Sequence, residues 1–301
     1  MAWVSWVALN RWILQCPLGV HGPPTLAGPV MTQPHPPAPP TPASTSSDLA
    51  AAPDLAGQTK QAMGWLHTTR FLITAAQLHH LPQYRLPEIA FVGRSNAGKS
   101  TCINTLTQQN QLAYASKKPG RTQHINLFAL GRHGQTDAVL ADLPGYGYAA
   151  VPKQDKIRWQ RVMANYLMSR DNLCGVVLLC DPRHGMTELD DILLEVIRPR
   201  VEAGMQFLVL LTKADKLNRS EGAKALSIAR LQAGGGQVRL FSALKRQGVE
   251  ETALLLSQWV TNWTPPATLD TNLIAGLDTE VGTDLGTDLN VGDEYTDGEH
   301  R

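Results

Sequence analysis

Residues 93–100 read GRSNAGKS, and the reading of these eight residues decides the fold. They fit the pattern GxxxxGK[ST]. Before them, EIAFVG (88–93) is a short apolar run ending in glycine; after them, STCINTLTQQ (100–109) has helix-compatible composition. The order is therefore strand, loop, helix, the setting in which this pattern has physical meaning. Its glycines let backbone N–H groups turn inward onto phosphate oxygens. Lys99 is then expected to bridge the β- and γ-phosphates, and Ser100 to offer its hydroxyl to Mg²⁺.

Working outward, INLFAL (125–130) and DAVLAD (137–142) are strand-like runs separated by GRHGQT, which predicts an antiparallel hairpin. KQDKIRWQRVMANYLMSR (153–170) places Trp159, Val162, Met163, Tyr166 and Leu167 on one helical face. CGVVLLCD (174–181) and MQFLVLLTK (205–213) are continuous apolar runs of the kind buried on both faces of a sheet. Between and after them, TELDDILLEVIRPRVEAG, AKALSIARLQ and GVEETALLLSQWVTNW read as helices, the first ended or kinked at Pro199, and QVRLFSA (237–243) as a last strand. This alternation predicts an α/β fold: a largely parallel sheet covered by helices on both faces.

Three further motifs stand at strand ends. TKAD (212–215) supplies a carboxylate, Asp215, that matches the N1–H and N2–H₂ donors of guanine; adenine offers no such pair. A buried site built for that pair can reject the wrong base by about 10⁴-fold. SAL (242–244) is placed for the Ala243 N–H to reach guanine O6. DLPG (142–145) puts Asp142 where it can hold Mg²⁺ through water and Gly145 where its N–H can touch a γ-phosphate. Tyr146 follows at once, where Ras-like GTPases carry a Gln that orients the attacking water. Between P-loop and DLPG, KKPGRTQHINLF (117–128) contains Thr122, placed to close onto Mg²⁺ when a γ-phosphate is present, and His124, which reads equally well as a structural residue.

The ends differ from the middle. Residues 1–60 are poor in charge and rich in Pro, Ala, Ser and Thr, and are expected to be a disordered extension. The first twenty residues are apolar but interrupted by Asn10, Arg11 and Gln15, with no charged start, so neither a signal peptide nor a membrane span is expected. Residues 264–301 hold nine acidic residues against one Arg and are expected to be a disordered acidic tail. Between them, 61–263 is the expected folded domain, with a surplus of roughly ten positive charges that suits a polyanionic partner. Lys117, Lys118, Arg121, Lys153, Lys156, Arg158, Arg161, Lys245 and Arg246 are the candidate contacts, with a merely solvated basic face as the alternative. The four cysteines show no CxxC spacing, and reduced thiols in a cytoplasmic protein are expected.

Together GRSNAGKS, KPGRTQHINLF, DLPGYGYA, TKADKL and SALKRQG resemble the EngB (YihA/YsxC) GTPases of bacteria, over about Leu81 to Trp259. The resemblance implies a TRAFAC-class GTPase fold, a three-layer domain with a mixed, six-stranded, mainly parallel sheet and one antiparallel strand, with GTP as substrate, GDP as product and Mg²⁺ as cofactor. It further implies a role in assembly of the large ribosomal subunit, with the subunit precursor and its ribosomal RNA as partners, and a requirement in cell division and septation. A GTP-dependent scaffold in septum formation is the alternative. By position, the GTP-binding residues would be Gly93, Arg94, Ser95, Asn96, Ala97, Gly98, Lys99 and Ser100; Gly120, Arg121, Thr122, Gln123 and His124; Asp142, Leu143, Pro144 and Gly145; Thr212, Lys213, Ala214 and Asp215; and Phe241, Ser242 and Ala243. Lys99, Thr122, Asp142 and Gly145 would serve hydrolysis, and Ser100 and Thr122 would ligate Mg²⁺. Without a Gln after DLPG, slow hydrolysis by a monomer is expected, with K⁺ beside Asn96 or a group from the ribosome completing the site.

Overall fold

The computed structural model describes residues 54–113, 124–147 and 153–265. Among the described residues, seven strands form one sheet in the order β1-β3-β4-β2-β5-β6-β7. They are β1 (Arg70–Ala75), β2 (Glu88–Gly93), β3 (Ile125–Leu130), β4 (Ala138–Asp142), β5 (Leu173–Cys180), β6 (Gln206–Leu211) and β7 (Gln237–Leu240). Six α-helices of the described residues cover it: α1 (Leu55–His67), α2 (Lys99–Thr107), α3 (Lys153–Ser169), α4 (Glu188–Glu202), α5 (Arg219–Gln232) and α6 (Val249–Thr261).

The sheet is mixed as expected, but it has one strand more than the sequence predicted. β1 pairs antiparallel with β3, and β3 antiparallel with β4; every other pairing is parallel. β1 escapes a sequence reading because it is an edge strand with an irregularity between Phe71 and Ile73, and only Ala75 of its six residues is buried. The domain also begins earlier than residue 61. Helix α1 starts at Leu55, its first turn capped by the Asp54 carboxylate, which accepts from the Gly57 N–H at 3.0 Å. The acidic tail lies outside the described residues, as does most of the Pro-rich extension.

Apolar burial explains the three layers. On one face, Met163, Tyr166 and Leu167 of α3, Ile192, Leu193 and Ile197 of α4 and Ala229 of α5 pack against Val92, Val176, Leu178 and Val209 of the strands. On the other, Leu66 of α1, Ile103 and Leu106 of α2 and Leu256 and Trp259 of α6 pack against Phe91, Phe128, Val177 and Leu208. Alternate residues of β5 therefore face opposite layers, which is why its sequence is apolar throughout. Pro199 neither ends nor interrupts α4 as assigned; the helix runs one turn past it to Glu202.

At the end of the sheet away from the P-loop, the carboxylate of Glu88 is fully buried. Tyr84 and Tyr166 hydroxyls donate to it, and so does the Arg170 guanidinium, at 3.1 Å to Oε1 and 3.1 Å to Oε2. A buried charge is tolerable only when its acceptor capacity is used in this way. The cluster ties the chain before β2, the strand itself and the end of α3 together.

Candidate nucleotide site

Parallel strands β2, β4, β5, β6 and β7 end on one edge, so the loops that follow them converge there. The loop after β2 spans 94–98, and α2 starts at Lys99. Gly98 has φ +94°, a left-handed conformation that favours glycine, and it turns the chain into the helix. Asn96 is left-handed too, at φ +66°. Asn126 lies opposite Asp142 in the β3–β4 register, so His124, two residues before it, stands at the same edge. Gly120, Arg121, Thr122 and Gln123 lie outside the described residues.

The P-loop is fastened on both sides. Towards β4, the Ser95 N–H donates to the Tyr146 carbonyl at 2.8 Å, and Arg94 and Tyr146 form a parallel bridge. DLPGY therefore continues β4 past Asp142 and lies along the loop, with Leu143 and Pro144 leading to Gly145. A Cβ on Gly145 would stand 3.1 Å from Ser95 Cα. Towards β6, the Thr212 hydroxyl donates to the Ala97 carbonyl at 2.6 Å, and the Lys213 ammonium donates to the Asn96 carbonyl at 2.8 Å.

Lys99 and Asp142 form a buried ion pair through Asp142 Oδ1. Asp142 Oδ2 is also buried, and it has no hydrogen-bond partner among the described residues. An orphaned carboxylate oxygen of this kind costs free energy unless a cation or its water reaches it. Together with Ser100, the second residue of α2, it gives an all-oxygen donor set that suits Mg²⁺.

The base-reading loops are preset in the same way. The Ala214 N–H donates to the Phe241 carbonyl at 3.1 Å, joining TKAD to SAL. The Ser242 hydroxyl donates to Asp215 Oδ1 at 2.7 Å and accepts from the Lys245 N–H at 3.1 Å. That hydrogen bond from Ser242 holds the Asp215 carboxyl below its ordinary pKa, so it stays ionised and aimed. Ala243 follows directly. The structure thus brings together every described member of the expected set at one edge.

Two features were not read from the sequence. Tyr146 does not face a nucleotide: its ring is buried in the core and its hydroxyl donates to Asp190 Oδ1, while Asp190 Oδ2 accepts the Thr187 N–H at 2.7 Å. It is a strut between DLPG and the start of α4. Asp181, just after β5, accepts from Arg183 and from Lys213 in the wall of a cavity of about 310 Å³ that Arg94, Ser95, Asn96 and Ala97 of the P-loop also line. The only cue in sequence was an Asp ending an apolar run with an Arg two residues on.

A P-loop opening a helix, a DLPG strand extension and a paired TKAD and SAL at the ends of one mainly parallel sheet define a P-loop GTPase. The family model described as "50S ribosome-binding GTPase" matches residues 88–213. The "Probable GTP-binding protein EngB" of Albidiferax ferrireducens is 76% identical over 198 residues, 66% of this chain and 96% of that protein. Its counterpart in Acidovorax ebreus is 77% identical over 197 residues, 65% of this chain and 90% of the relative, and that of Burkholderia pseudomallei 47% over 204 residues, 65% and 92%. A solved structure of a probable GTP-binding protein engB aligns with a TM-score of 0.48 at 20% identity, over 58% of this chain and all of that one. The chain belongs to the EngB family of GTP-binding proteins.

Proposed function

We propose that this protein binds GTP with Mg²⁺ at the convergent strand ends, hydrolyses it slowly, and uses the cycle to engage the large ribosomal subunit during assembly in the cytoplasm. The observation that carries the nucleotide reading is the pairing of a buried Lys99–Asp142 contact, with one orphaned carboxylate oxygen, to an Asp215 already oriented by Ser242. An incoming phosphate would compete with Asp142 for the Lys99 ammonium, which would place its charge on the β- and γ-phosphates and leave Asp142 free to help hold Mg²⁺ through water. Ser100, Asp142 and, from the segment outside the described residues, Thr122 would hold Mg²⁺. When bound, that ion neutralises charge developing on the phosphates. The Gly145 N–H supports the γ-phosphate. Asp215 and the Ala243 N–H select guanine.

The expected slow rate follows from Tyr146. Its hydroxyl is committed to Asp190 in the core, so DLPGY brings no side chain to orient water. K⁺ beside Asn96 or a group supplied by the ribosome would complete the site; equal rates in K⁺ and Na⁺ remove the first.

The ribosomal reading is supported by the description of the matching family model and by charge. Over residues 54–265 the chain carries 25 basic against 16 acidic residues. Arg158, Arg161, Lys245 and Arg246 are exposed; Lys117, Lys118 and Arg121 lie outside the described residues. A requirement in cell division and septation follows from the family resemblance alone. Sedimentation with ribosomal particles tests the reading: co-migration with the large subunit or its precursors in a non-hydrolysable GTP analogue and release in GDP are expected. Migration independent of nucleotide would overturn it.

A further inference from the structure

We propose that Asp181 is a positioning residue that couples the base-reading loop to the phosphate loop, acting through Lys213, and that it sets how tightly guanine nucleotide is retained. The proposal rests on guanine nucleotide binding at this site.

Lys213 has a left-handed backbone, φ +54°, as has Asn96 at φ +66°. The conformation is uncommon for lysine and tolerated by asparagine, and at Lys213 it needs support from its surroundings. One ammonium supplies it: Lys213 Nζ donates to the Asn96 carbonyl at 2.8 Å and to Asp181 Oδ2 at 3.0 Å. Two residues on from Lys213 stands Asp215, and three on from Asn96 stands Lys99. The clasp therefore spans the base half and the phosphate half of the site.

Asp181 is built to hold that ammonium still. It is 8% exposed, and its oxygens accept from the Arg183 N–H at 3.2 Å, Nε at 2.9 Å and Nη2 at 2.6 Å as well as from Lys213. Arg183 clamps the carboxylate in a bidentate fork, the geometry that fixes orientation as well as charge. These bonds, Arg183 first, keep its carboxyl well below the usual carboxylate range. Asp181 lines a cavity that it shares with Arg94–Ala97 of the P-loop, and it stands just past the end of β5, outside the TKAD and SAL loops. Its influence on nucleotide passes through Lys213.

The test is a double-mutant cycle on full-length protein, with the Kd and release rate of fluorescent GDP, the KM and kcat of GTP hydrolysis, and the melting temperature of nucleotide-free protein. Asp181→Asn should raise Kd and release rate about tenfold, the loss of one charge-assisted hydrogen bond, with the cost in KM rather than kcat. In a Lys213→Met background the same substitution should cost less than about twofold. Arg183→Ala, which leaves Asp181 in place but unclamped, should raise Kd about threefold and serves if Asp181→Asn does not fold. A full tenfold cost retained beside Lys213→Met, or a fall in melting temperature with Kd unmoved, would overturn the proposal. Wild-type protein that binds no GDP would instead overturn the nucleotide reading itself.

Discussion

At the scale of single residues, Asp215 and Lys99 are charges whose partners are already in place. Asp215 is held ionised by Ser242, so guanine meets a carboxylate that has nothing left to reorganise. Asp215→Asn should shift preference from GDP toward xanthosine diphosphate, whose C2 carbonyl accepts from the amide; competition binding measures it, and unchanged base selectivity contradicts the assignment. The carboxyl pKa is depressed in the folded protein, so its contribution is intact above about pH 4, the unfolded value, and is lost only as pH falls through the lower folded one. Lys99 makes a sharper case because it is paired inside the protein. Lys99→Ala should abolish measurable GTP binding in calorimetry. It should also destabilise nucleotide-free protein by about 3 kcal/mol, since it strands the buried Asp142 charge. Adding Asp142→Asn removes that charge and should recover part of the loss in urea denaturation. A Lys99→Ala protein as stable as wild type would show that the pair carries no such weight.

Between elements, packing is tight where α6 crosses β5. A Cβ on Gly175 would stand 2.4 Å from Cε3 of Trp259, so the indole rests directly on the strand backbone. Gly175→Ala should therefore cost about 1–3 kcal/mol by overpacking, and pairing it with Trp259→Leu should cost less than the two changes separately. Additive costs in urea denaturation would refute the contact. The same elements show why so much was legible in sequence. β2, β5 and β6 are buried on both faces and announce themselves as apolar runs, and the P-loop, DLPG and TKAD are contiguous words at their ends. What was illegible is of another kind. RFLITA sits at an edge with one buried residue, and α1 carries Gly57 and Gly64 and buries only Ala62 and Leu66, so neither has a strong period. Asp181 and Lys213 are 32 positions apart, and Tyr146 and Asp190 are 44, so their contacts exist only once β4, β5 and β6 are aligned.

For the whole molecule, the pH range of stability follows from what the two core layers bury. On the acid side, Asp181 has its pKa lowered in the fold, so its contribution fades only below about pH 4. The alkaline side is set by thiols. Cys102, Cys174 and Cys180 are buried, and burial raises all three, Cys174 to about 12. Each is a neutral acid in the fold and an ordinary thiol, near pKa 8.5, once unfolded. Raised folded values mean stability that is whole below about pH 8.5 and is lost above it, as the unfolded chain alone releases protons. Three such thiols should cost roughly 4 kcal/mol between neutral pH and pH 9.5. Tyr84, Tyr146 and Tyr166, also raised chiefly by burial, extend the decline above about pH 10. Urea denaturation of nucleotide-free protein at pH 7.5 and 9.5 measures the difference. A variant with alanine at all three cysteines should be less stable at neutral pH, because each change leaves a small cavity, yet lose much less on going to pH 9.5. The thiols should also resist alkylation at pH 8.5 until urea unfolds the domain. If the triple variant loses as much as wild type between the two pH values, the alkaline limb belongs to other groups and the thiols do not set it.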